Sequence, residues 1–168
     1  DDLAQADWLA RYHAVSYAGS ASAVVAARSA PAAPAAFDFL GVGDALLDGV
    51  TAEGQPRGKA VVRGVRGEAL AELAPLPETR DELEASARGF RDPRLLLAGE
   101  ATERRVRGEL LGGYRLISFA THGLLRDDLQ GLAEPALVLT PASSRDPGDD
   151  GLFTADEIAD LNLSARFV

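Results

Sequence analysis

Tyr114 to Gly123 reads YRLISFATHG, and the reading of this stretch decides the fold. The apolar run Leu116-Ile117-Ser118-Phe119-Ala120 follows Gly112-Gly113 and ends at Thr121-His122-Gly123. A short apolar run bounded by glycines is the pattern of a buried strand. The small and polar residues after it mark the strand's carboxyl end, where open α/β sheets bind their ligands. His122 at that position exchanges protons near neutral pH and is a candidate general base. Gly123 offers a backbone N–H with no side chain in the way, which suits a developing oxyanion. The plainer alternative is a polar residue ending a strand, with a glycine to turn the chain; spacing alone leaves both open. No G-x-S-x-G elbow is present to mark a serine nucleophile.

Further apolar runs flank this one. Phe37 to Val42, closed by Gly43-Asp44, reads as a strand. Its Gly41-Val42-Gly43 lacks the third glycine of a dinucleotide turn and is taken as a strand end. Arg94 to Ala98 and Ala136 to Leu139 are two more strands, and Ala165 to Val168 begins another. Between them lie helical patterns. Thr79-Arg80-Asp81-Glu82 forms a capping box for a helix to about Arg88, with Gly89 at its left-handed end. Ala101 to Leu111 is helical, with Val106 and Leu110 on one face. Thr154-Ala155-Asp156-Glu157 is a second capping box, opening a helix that carries Ile158 and Leu161. Earlier in the chain, His13 to Tyr17 reads as a strand. Ser20 or Ser22 caps a helix to about Ala30, which Pro31 and Pro34 end. Asp48 to Gly67 is a polar, glycine-rich insertion, expected as a surface hairpin or loop. Strands alternating with helices imply an α/β fold: a mostly parallel sheet with helices on both faces.

Composition narrows the function. The chain has 168 residues, 46% hydrophobic and 26% charged, which suits one soluble domain. The formal net charge of -9 repels phosphate backbones, so neither nucleic acid nor an anionic membrane is an expected partner. No apolar stretch approaches the roughly 20 residues that cross a bilayer. Asp1-Asp2-Leu3-Ala4 does not open a signal peptide, and a cytoplasmic protein is expected. Among the 17 basic residues only Lys59 is lysine, a bias that fits a GC-rich genome. There is no methionine, and the last strand begins only at Ala165. Both point to a piece of a longer protein, incomplete at its C-terminal end. With no cysteine there is no disulfide, no Cys-zinc site and no thiol nucleophile within this chain.

Two other constellations are weaker. Asp146, Asp150, Gly151 and Glu157 match a calcium-loop template, but Gly148 stands where Asp or Asn is wanted. Glu157 is also claimed by the capping box, so the segment reads as a solvated loop feeding a helix. His13 lies among apolar residues with no acidic partner nearby in sequence and reads as structural. Neither a metal nor an organic cofactor is implied.

FATHGLL at Phe119 to Leu125, EPALVLTP at Glu134 to Pro141 and DGLFTADEIADLNLSARFV at Asp150 to Val168 resemble the CHAT domain family. This caspase-like family is related to separase and is often found beside tetratricopeptide repeats. The resemblance extends upstream through FLGVGD at Phe39 to Asp44, Leu76-Pro77 with Thr79 to Leu83, and LLLAGEAT at Leu95 to Thr102. It is weak across Asp48 to Gly67. It implies a three-layer caspase-like domain over residues 1–168, with an N-terminal strand and helix in 1–36, a core in 37–168 and an insertion at 48–67. By the same resemblance His122 is the catalytic histidine of a cysteine endopeptidase and Gly123 helps form the oxyanion hole. The nucleophilic cysteine is expected at the end of the strand starting at Ala165, just beyond Val168. The fragment alone would then be inactive. Asp44, at the end of the first core strand, is where such folds read the side chain before the cut, and an acidic residue there favours a basic one. The implied partners are a protein or peptide substrate and the rest of the same protein: the Cys-bearing strand and tetratricopeptide repeats. The other reading is a non-catalytic protein-interaction module of the same fold.

Overall fold

The computed structural model describes residues 35–47, 61–62, 65–141 and 148–163, with positions 12, 20–22 and 25 nearer the N-terminus. The chain divides into two compact units, Asp1–Ala32 and Ala33–Val168. In the first, residues 21, 22 and 25 are helical and follow Ser20, whose hydroxyl lies 2.8 Å from that of Ser22. The strand expected at His13 to Tyr17, and His13 with it, lies outside the described residues.

The second unit is built on β1, Phe37–Gly43. From Phe39 onward every residue of β1 is buried, as befits a strand covered on both faces. It is the middle of a three-stranded sheet between β4 (Arg94–Leu97) and β5 (Tyr114–Ala120). Both pairings are parallel, with Gly43 opposite Leu97 on one side and Ala120 on the other. The three strands therefore end side by side. The short elements between β1 and β4 are a hairpin of β2 (Val61–Val62) and β3 (Val65–Arg66), then helices α1 (Gly67–Ala71) and α2 (Glu78–Ala87). After β4 comes α3, Glu103–Gly108. The hairpin falls inside the insertion expected at Asp48 to Gly67, of which residues 48–60 and 63–64 lie outside the described residues.

Each sheet face has its own core. Phe39, Leu95, Leu97 and Leu116 pack with Leu83 and Ala87 of α2. Gly41 and Gly43 make room for that helix. A Cβ at Gly41 would stand 2.7 Å from Leu95 Cδ2, and one at Gly43 2.8 Å from Leu83 Cδ1 and 2.5 Å from the Ala120 carbonyl oxygen. The glycines serve close approach, not phosphate binding. Burying Leu83 in this way is worth about 1.5–3 kcal/mol. The opposite face, Leu40, Val42, Leu96 and Ile117, packs with Val106 of α3, Leu139 and Phe153.

A second sheet is antiparallel throughout: β6 (Gly123–Leu124), β7 (Ala136–Val138) and β8 (Leu152–Thr154), in that order. The strand expected at Ala136 to Leu139 thus exists but does not join the parallel sheet. A parallel return needs a crossover of about a dozen residues, usually a helix, and the segment from Leu125 to Pro135 folds only into turns. The parallel α/β expectation holds for three strands. The helix α4, Ala155–Ala159, follows β8 and has the expected capping box. Glu157 N–H donates to the Thr154 hydroxyl at 3.5 Å, and Thr154 N–H to Glu157 Oε2 at 3.0 Å.

Other expectations are corrected. Thr79 does not cap α2, which starts two residues earlier than expected, at Glu78 behind Pro77. Proline has its φ preset and no N–H to satisfy, so it accepts that place. Gly89 is not left-handed; the chain winds on through Gly89 N–H to Ser86 O and Phe90 N–H to Ala87 O, laying Phe90 on Phe39 with ring centroids 4.8 Å apart. The helix expected over Ala101 to Leu111 is only Glu103–Gly108, so Leu110 is 75% exposed while Val106 is buried.

Candidate active site

The carboxyl ends of β1, β4 and β5 meet at one edge. Beyond them stand Asp44, Ala98 and Thr121-His122, next after the mutually paired Gly43, Leu97 and Ala120. Asp44 and Ala98 have φ of 53° and 50°, a region that non-glycine residues seldom occupy and that clusters at functional sites. Two threonines brace this edge. Thr140, fully buried, donates its hydroxyl to the Ala98 carbonyl at 2.8 Å and accepts Leu46 N–H at 2.9 Å. Its own N–H donates to the Ala101 carbonyl. Thr121 donates its hydroxyl to the Val138 carbonyl.

His122 is held by the backbone at two points. Its carbonyl accepts Val138 N–H at 2.9 Å. Its Nε2 lies 2.7 Å from the Ala74 carbonyl oxygen. A carbonyl only accepts, so Nε2 carries the hydrogen, and in the neutral ring the lone pair is on Nδ1. The arrangement sets a tautomer ready to take a proton at Nδ1. Gly123 pairs with Leu137 while Val138 N–H bonds to His122, which puts Gly123 at a non-hydrogen-bonded position of the ladder. Its N–H is therefore turned away from β7, on the side of β6 that pairs with no other strand among the described residues. A Cβ there would meet nothing within 4 Å.

Asp44 accepts from Arg80 through Oδ2, and its N–H donates to Thr79 Oγ1 at 3.2 Å. Thr79, unneeded as a cap, donates its hydroxyl to the Leu76 carbonyl at 2.7 Å. One short segment, Ala74 to Arg80, thus holds His122 at one end and Asp44 at the other. Sequence reasoning placed His122, Gly123 and Asp44 at this edge but missed Ala74, Arg80 and Thr140. Ala74 acts through a carbonyl that every residue has. Arg80 and Thr79 had shown only as a helix start.

A second charged cluster holds the Asp150 to Ile158 segment. Glu103 is fully buried, accepting Gly151 N–H at 2.9 Å and an Arg107 N–H at 3.1 Å. Arg107 also reaches Glu157 at 2.8 Å and the Gly148 carbonyl, and lies 5.2 Å over the Phe153 ring. Burial pushes the Glu103 carboxyl up to about 8, with Asp150 and Glu157 adding repulsion against the Gly151 hydrogen bond and Arg107. Gly151 sits at φ 91°, where a Cβ would meet the Leu139 carbonyl oxygen at 2.8 Å. Of the calcium-loop template, Asp146 lies outside the described residues, while Asp150 Oδ1 accepts Leu152 N–H at 2.8 Å and Glu157 bonds to Thr154 and Arg107. Among the described residues no group of three or more His, Cys, Asp or Glu is placed to hold a metal ion, and no helix is long and apolar enough to cross a membrane. A cavity of about 710 Å³ beside Glu109, Leu110, Gly113 and Asp160 opens by the amino end of β5, away from His122.

A three-stranded parallel sheet with helices against it, and with a histidine and strained residues at its carboxyl edge, defines an α/β domain. The chain belongs to the CHAT domain family, whose model matches residues 2–168. That membership makes it a caspase-like, peptidase-related domain. No curated protein and no solved structure is a significant match.

Proposed function

We propose that this domain is the larger, histidine-bearing part of a CHAT-type cysteine endopeptidase acting on protein substrates. The observation that carries the reading is the Nε2–H bond from His122 to Ala74, which keeps the Nδ1 lone pair for chemistry. The sequence holds no cysteine, so the thiol comes from polypeptide outside it, on a strand added to the edge of β5. That edge has no partner among the described residues. Neighbouring strands lie about 4.8 Å apart, close enough for a thiol at the end of one to face His122 at the end of the next. Nδ1 takes the thiol proton and the thiolate adds to the scissile carbonyl. Gly123 N–H stabilises the oxyanion. The imidazolium then protonates the departing amine, and water, deprotonated in turn by His122, releases the acid from the thioester. Asp44 receives a basic side chain of the substrate next to the cut. This chain alone cannot cleave by that route. The missing thiol equally fits a non-catalytic interaction module of the same fold.

An arginine-terminated acyloxymethyl ketone probe on the cysteine-bearing full-length protein separates the two. The peptidase reading expects labelling that His122→Ala lowers by about 10²–10⁴-fold. Labelling unchanged by His122→Ala, or no cysteine encoded just past Val168, rejects it.

A further inference from the structure

The Asp44 carboxylate is already engaged by a guanidinium. Arg80, in the first turn of α2, donates from Nη2 to Asp44 Oδ2. The two side chains are 43% and 23% exposed, so water and ligands reach the pair. Arg80 also has a second acceptor. Its Nη1 lies 3.9 Å from Glu84 Oε1, one turn along the same helix. The guanidinium can leave Asp44 and still face a carboxylate. Asp44 is less free to move, since its backbone sits at φ 53° and its N–H is held by the Thr79 hydroxyl. A carboxylate on a held backbone thus faces an exchangeable cation.

Resting on the reading of Asp44 as the residue that meets a basic substrate side chain, we infer that Arg80 is an internal competitor for that subsite. In the free protein Arg80 fills the place of a substrate guanidinium or ammonium. A peptide bearing arginine or lysine displaces it onto Glu84, one ion pair replacing another with no bond made or broken. A neutral or acidic side chain offers Asp44 nothing in exchange, so Arg80 stays and the subsite stays closed to it. Arg80 therefore sharpens the choice for basic peptides and weakens their binding. Because exposed ion pairs of this kind are weak, removing the competitor raises affinity by roughly two- to fivefold.

The test is an NMR titration of the ¹⁵N-labelled full chain with acetyl-arginine amide and its neutral isostere acetyl-citrulline amide, read at the Asp44 and Thr79 amides. Wild type is expected to prefer the arginine probe. Arg80→Gln should bind it roughly two- to fivefold more tightly and leave the citrulline probe unchanged, whereas Glu84→Gln should weaken it. Asp44→Asn, which tolerates the left-handed backbone, should erase the preference in either background. If wild type prefers arginine but Arg80→Gln binds it no better, the competitor role is overturned while the reading of Asp44 stands. If neither protein distinguishes the probes, the Asp44 reading falls and takes this inference with it.

Discussion

Replacing Thr140 by valine keeps the shape of the side chain and removes one hydroxyl. That hydroxyl ties two loops to each other at the edge of the parallel sheet, donating to Ala98 after β4 and accepting from Leu46 after β1. Thr140 is fully buried, but Leu46 and Ala98 are only partly so, and water takes over some of what is lost. Each hydrogen bond then contributes on the order of 1 kcal/mol rather than the upper end of the range. The expected loss for Thr140→Val is about 2 kcal/mol, or a fall of about 4–8 °C in melting temperature for a chain of this size. Thr140→Ser is the control. It keeps both hydrogen bonds and gives up one methyl, about 0.8 kcal/mol. Urea unfolding should rank wild type above Thr140→Ser and Thr140→Ser above Thr140→Val. Amide exchange at Leu46 should quicken in the valine variant and not in the serine variant. A valine variant as stable as the serine variant, with Leu46 still protected, would refute the brace.

Two further outcomes are expected. The folded state holds a proton on Glu103 up to about pH 8 while the unfolded chain releases it near 4.5, so the folded form binds more protons between them. Glu103 therefore makes stability fall as pH rises through that window; Glu103→Gln should flatten the urea midpoint against pH, and a profile parallel to wild type would exclude Glu103 as the source. Gly43→Ala places a Cβ 2.5 Å from the Ala120 carbonyl oxygen, backbone that cannot swing aside, and should cost about 1–3 kcal/mol. Adding Leu83→Ala should not restore the melting temperature, and recovery would show that the side chain, not β5, was the obstacle.

What the sequence made legible was local. β1 and β5 are apolar runs closed by turns, and Leu40, Val42 and Ile117 are buried as such runs demand. The Thr154 box formed because donor and acceptor lie three residues apart. The Thr79 box did not, because Pro77 took the helix start and Asp44 claimed the threonine hydroxyl from 35 residues away. Periodicity placed Val106 correctly but not Leu110, since the helix stops at Gly108. The run Ala136 to Leu139 announced a strand but not its neighbours, and direction is a property of the pairing. His122 was visible as a residue type at a strand end. The Ala74 carbonyl that sets its tautomer carries no side-chain signature, and only the fold brings it within 2.7 Å.

The bonds that assemble the edge span long stretches of chain. Arg80 reaches back 36 residues to Asp44, His122 reaches 48 to Ala74, and Thr140 reaches 94 to Leu46. Each closure costs chain entropy before its contacts return any stability, and folds rich in such separations form slowly. During synthesis β1 and β4 can pair long before Thr140 has been made. The core on the α2 side can therefore form from residues up to Ala120, while the opposite core waits for Leu139 and Phe153, and the histidine, the acid and their braces come into register with that later closure.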